Sequence, residues 1–130
     1  MEHYKEDLIK YRIERAKETA RGAKSAIENG FLFDAENRIY YAIFYIVSAL
    51  AIKHDFSTSK HKQLMGWFNY NFIRTGIISS DYNEIYKTAF SFRQKGDYDD
   101  FVKFNRDEVH SHYHKNMLSF VSEIEKLINE

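Results

Sequence analysis

Fourteen consecutive residues, Ile39 to Ile52, carry no charge. A helix that crosses a bilayer needs about 20 apolar residues, and a buried strand takes roughly 4 to 8. A central buried helix fits the run. Its apolar groups lie all round rather than on one stripe, so several elements must pack against it, or some elements together with a second subunit. Tyr40, Tyr41 and Tyr45 sit inside the run and bring hydroxyls that a buried site has to satisfy.

A chain of 130 residues falls in the size range of one domain, able to bury about two thirds of its unfolded surface. Residues 1–130 are therefore expected to form a single helical domain. Lys plus Arg and Asp plus Glu number nineteen each, which removes any global field toward nucleic acid or anionic membrane and leaves a polyanion site to be local. Hydrophobic residues at 44% with aromatics at 17% exclude a disordered chain. The lack of cysteine removes disulfides, zinc-thiolate sites and thiol catalysis together. No apolar signal region appears in the opening MEHYKEDLIKYR, so a cytoplasmic protein with no membrane partner is expected. The absence of proline leaves long helices uninterrupted.

From about Tyr4 to Asn29 the apolar positions Tyr4, Leu8, Tyr11, Ala16, Ala20, Ala23 and Ile27 follow helical spacing with one five-residue step. The stripe turns to alanine after Ala16, which lets a partner helix approach closely, and Glu6 to Lys10 is a favourable pair one turn apart. Asn29 and Gly30 supply the stop. The central helix begins between Leu32 and Asp34, where Asp34 and Glu36 suit its positive end, and runs to about Lys53. Ser57, Thr58 or Ser59 is expected to cap a third helix carrying Leu64, Phe68 and Phe72 on one face, widened by Trp67 and ended by Gly76. Asp81 with Glu84 reads as a capping box opening a fourth helix, which Gly96 ends before an acidic loop from Asp97 to Asp100. Asn105 with Glu108 opens a last helix bearing Val109, Tyr113, Met117, Phe120, Ile124 and Leu127. The pattern predicts an all-α, up-and-down bundle of four or five helices with short connections.

In the fourth helix Tyr82, Tyr86, Ala89 and Arg93 recur at steps of four, three and four, so Arg93 shares a stripe with apolar residues. A guanidinium so placed must be paired, since it cannot shed its charge. It is expected either to form a structural ion pair with Asp97, Asp34 or Glu36, or to recognise phosphate, whose oxygens suit its fork geometry. In HSHYH, His110 and His114 stand one turn apart, a spacing that chelates a transition metal on some helices and is a solvated face on most. His61 is expected to cap or to bond locally. Lys60, Lys62 and Arg74 form a small basic cluster that attracts phosphate or simply faces solvent.

The long first helix, then DAENRIYYAIFYIVSALA, KHKQLMGWFNYNFIRTG and FRQKGDY, then a final amphipathic helix, resemble the HEPN domain, named for higher-eukaryote and prokaryote nucleotide-binding proteins. The most specific pieces are D-A-x-x-R-x-Y-Y-A-x-F at Asp34 to Phe44, the threonine-or-lysine-H-K start at Lys60 to Lys62, and R-x-x-G-D-Y at Arg93 to Tyr98. The resemblance covers nearly the whole chain. It implies a homodimeric helical bundle, often acting with a small nucleotidyltransferase as a toxin and antitoxin pair. Many members are metal-independent ribonucleases with an R-x4-6-H motif, in which arginine holds the phosphate, histidine exchanges protons, and two copies meet across the dimer.

Arg93 matches that arginine, but positions four to seven after it hold Asp97, Tyr98, Asp99 and Asp100, with no histidine. An unperturbed tyrosine, with a pKa of about 10, leaves on the order of one phenolate in a thousand at neutral pH. Asp97 is ionised, but its pKa lies far below the near-neutral value that general base catalysis favours, and its charge repels phosphate. Asp97 and Tyr98 are thus poor catalytic candidates beside Arg93. The expectation is a protein that binds a nucleotide, RNA or a nucleotidyltransferase partner without a cofactor, with Arg93, Asp34, Asn37 and Arg38 near the subunit seam. The alternatives are a ribonuclease toxin and a scaffold whose only ligand is another protein.

Overall fold

The computed structural model describes residues 2–98 and 102–130. Helices α1 (Glu2–Glu28) and α2 (Leu32–Lys53) form a hairpin. Helix α3 (His61–Phe68) runs into a π-helical turn (Asn69–Ile73), and α4 (Ser80–Tyr98) follows. Helix α5 (Arg106–Ser111), a second π-helical segment (His112–Met117) and α6 (Leu118–Ile128) continue one another. Every regular element among the described residues is helical, so the fold is the all-α bundle that the sequence predicts. No helix is long and apolar enough to cross a membrane, among the described residues.

Helix α2 is the centre, packed by α1, α3, α4, α5 and α6. From Ile39 to Ala51 every residue except Tyr41 and Tyr45 is buried. The chain's own helices therefore cover nearly all of the uncharged run, and that narrow tyrosine strip, with Ile52 at the end of the run, is left partly open.

The close approach expected of the alanines is present: Ala16, Ala20, Ala23 and Ala26 are buried in the core. The first half of the α1 stripe differs from expectation. Tyr4 is 70% and Tyr11 53% exposed, while Ile9 and Ile13 pack on the core. The series Ile9, Ile13, Ala16, Ala20, Ala23, Ile27 has steps of four and three throughout, and the five-residue step in the expected stripe marked its wrong phase. Nor do Glu6 and Lys10 pair; Lys5 instead reaches Asp55 at 3.0 Å.

Gly30 ends α1 with φ at +78°, and the Phe31 amide returns to the Ala26 carbonyl at 2.8 Å, a glycine-type helix stop. Asn105 caps α5, accepting from the Glu108 amide at 3.0 Å. Three expected boundaries move. Lys60 precedes α3 without a side-chain cap, while the Thr58 hydroxyl accepts from the Lys60 amide in a turn just before it. Ser79, not Asp81, accepts the first amide bond of α4. Gly96 lies inside α4, which continues to Tyr98; a Cβ there would sit 3.1 Å from the Phe33 ring, so glycine serves packing rather than termination. Asp97 is accordingly helical, and the Tyr98 side chain, Asp99 and Asp100 lie outside the described residues.

Candidate functional site

Arg93 points from α4 onto α2, its guanidinium carbon 5.4 Å from the centres of both the Tyr40 and Tyr41 rings. Aromatic faces attract a cation at such distances, which is how an arginine on an otherwise apolar stripe is accommodated. Its Nε lies 3.1 Å from Asp97 Oδ2 one turn on, yet Nε is buried without a directed hydrogen bond. The two observations together describe a charge contact with poor angular geometry. Asp97 is thus the partner, as one of the expected pairings had it. Asp34 is taken by Arg38 at 3.0 Å, and Glu36 by His112. The terminal nitrogens of Arg93 make no hydrogen bond to a described residue, and its side chain is 15% exposed.

His61 opens α3 against the same two tyrosines, its ring 5.5 Å from Tyr40 and 5.8 Å from Tyr41. Its Nδ1 lies 2.6 Å from the Tyr40 hydroxyl, a bond across twenty-one residues of chain rather than the local one expected. Burial raises the pKa of that hydroxyl well above the ordinary tyrosine value, against a smaller opposing pull from Arg93, so Tyr40 stays a neutral phenol. Burial first, and the Arg93 charge second, hold the His61 pKa below its usual 6.5. A neutral phenol is the better donor, so Tyr40 donates to Nδ1 and the ring proton resides on Nε2.

The other predicted residues lie elsewhere on the bundle. Arg38 and Asp34 are half-exposed, and Arg38 lies across Gly22 of α1, where a Cβ would sit 2.6 Å from its Nη1. Asn37 is half-buried on α2, and no hydrogen bond or ion pair joins these three to Arg93 among the described residues. His110 and His114 stack at 5.7 Å, but no group of three or more metal-ligating side chains is assembled among the described residues. Arg74 lies over the Tyr70 ring, 5.0 Å from its centre.

One pair escaped the sequence. The Glu36 side chain, 1% exposed, accepts from His112 Nδ1 at 2.9 Å, and His112 meets the Phe92 ring edge-on at 4.6 Å. The signal was present in the spacing Glu36, Tyr40, Ile43, Val47, which puts the carboxylate on an inward stripe just as Arg93 is on its own. A surface depression of about 670 Å³ between α1 and α6 offers little to an anion. Its cations are mostly engaged: Lys17 with Glu125 at 2.8 Å, Lys5 with Asp55, and Lys53 with the Leu127 and Ile128 carbonyls.

Residues 9–129 match the HEPN domain. The chain belongs to the HEPN family. The HEPN chain is 39% identical over 126 residues to a UPF0332 protein of Thermotoga maritima, covering 97% of this chain and 95% of that one. Two Methanocaldococcus jannaschii proteins named as candidate toxins are also similar. One is 30% identical over 112 residues, or 86% of this chain and 76% of the relative. The other is 35% identical over 86 residues, 66% and 64% respectively. In this HEPN domain the R-x-x-G-D-Y motif is now a structural unit: Arg93 and Asp97 face each other across one turn, and Gly96 admits Phe33.

Proposed function

We propose that this HEPN domain is a homodimeric component of a toxin and antitoxin system that binds a phosphate group of a nucleotide or of RNA through Arg93, and that a nucleotidyltransferase is its protein partner. The toxin assignment is taken from the two relatives so named. The observation that carries the ligand is the state of Arg93. Its side chain is 15% exposed, it lies over two aromatic rings, and its one ionic partner among the described residues, Asp97, offers poor geometry. An arginine held this way keeps its terminal donors for a planar oxyanion. The R-x4-6-H histidine is missing from α4, and neither Asp97 nor Tyr98 is a suitable base, so binding rather than turnover is the function favoured.

The test is binding of 5′-AMP and of a labelled single-stranded RNA by wild type and Arg93→Gln, with the same RNA incubated in EDTA. Loss of one charge-assisted contact corresponds to roughly a tenfold or greater weakening in the variant, and little or no cleavage is expected of the wild type. Equal affinity in both proteins would remove Arg93 from the site. Robust cleavage abolished by the Arg93 substitution would replace the binding function with a ribonuclease.

A further inference from the structure

We propose that His61, supplied by α3, is the second phosphate ligand of the Arg93 site, its Nε2–H donating to the same oxyanion that the guanidinium holds. The proposal rests on Arg93 being a phosphate ligand and adds a residue that the R-x-x-G-D-Y motif does not contain. Three observations carry it. Arg93 and His61 pack on the same pair of rings, Tyr40 and Tyr41, and so occupy one end of one cluster. The His61 ring is fixed twice, by the Tyr40 hydroxyl on Nδ1 and by the Phe44 ring at 4.8 Å, so its outer nitrogen has a set direction. That outer nitrogen makes no hydrogen bond to a described residue, and His61 as a whole is only partly buried.

The electrostatics fit an anion and not a cation. The ring packs on Tyr40, Tyr41 and Phe44 and feels the positive charge of Arg93; Lys60 and Lys62 flank it in the chain, and no carboxylate pairs with it among the described residues. An imidazole beside a guanidinium is held neutral, and an arriving phosphate reverses that bias by offering negative charge to both groups. Ligand binding and proton uptake at His61 are therefore coupled: the anion binds more tightly as His61 gains its proton, and the proton binds more tightly when the anion is present.

Histidine ring resonances of the full chain, followed by NMR from pH 5 to 8, test this with inorganic phosphate, 5′-AMP and a short single-stranded RNA as separate probes. In the free protein His61 is expected to titrate below 6.5, and saturating 5′-AMP or RNA to raise its midpoint by about one pH unit. His61→Phe, which keeps a ring against Phe44 but has no donor, should weaken binding roughly tenfold, and His61→Gln should retain part of it. Should His61→Phe fail to fold, the wild-type titration decides alone. Binding that needs Arg93 but leaves the His61 midpoint unmoved would overturn the His61 proposal and leave the Arg93 site standing. Absence of any Arg93-dependent binding would overturn both. A response to inorganic phosphate equal to that for 5′-AMP and RNA would assign the site to the bare oxyanion, and a response only to RNA would assign it to a phosphodiester.

Discussion

Arg93 and Glu36 are both ionic groups on inward stripes, and their surroundings give them opposite roles. Asp97, the partner of Arg93, has a side chain 25% exposed, so after Arg93→Ala it turns to water and the expected cost is small, about 1 kcal/mol or less. Glu36 has no such escape, because its carboxylate is 1% exposed and His112 is its only hydrogen-bond partner among the described residues. His112→Ala should therefore cost about 3 to 5 kcal/mol, the range for orphaning one member of a buried pair. Urea unfolding of the two variants side by side checks the contrast, and equal losses would contradict it. Arg93 could be singled out from sequence because its helical phase was plain. His112 could not, since a π-helical segment begins at that residue, and the wider turn changes which side chains face inward in a way that 3.6-residue spacing does not anticipate.

Among the elements, the central helix and the α1 to α2 turn were the most legible, for physical reasons that differ. An uncharged run of that length has few places to go, and Gly30 at positive φ marks a stop that L side chains rarely adopt. Starts of α3 and α4 were less legible because serines, threonines and aspartates cluster before both, and any of them is chemically able to accept the first amide. The α1 to α2 seam depends on small side chains, and this makes a direct prediction. Ala23 is fully buried, so Ala23→Leu has no space to enter without prising the two helices apart. Thermal unfolding should show a loss of about 1 to 3 kcal/mol or more, whereas the same change at exposed Glu18 should have little effect. An unchanged Ala23→Leu protein would mean that the seam is looser than the burial indicates.

For the whole molecule, the strip left open on the central helix bears on the proposed dimer. Tyr41 and Tyr45 remain half-buried beside Tyr11 and Arg15 of α1, with Arg15 donating to the Tyr45 hydroxyl at 3.0 Å. Tyrosine and arginine are among the side chains enriched where proteins meet, so sedimentation at micromolar concentration should give a dimer, and a clean monomer would remove the proposed homodimer. The alanine seam has a consequence of another kind. It joins helices separated by only three residues, Asn29 to Phe31, so this hairpin closes with little loop entropy, while the Glu36 to His112 contact spans seventy-six residues. On a ribosome, where the N-terminal part emerges first, α1 and α2 are able to zip together before α4 and α6 exist. During that interval Ile39, Ile43, Ile46 and Leu50, buried in the finished fold, lack whatever cover the later helices supply, and incompletely covered apolar surface of this kind is prone to aggregation.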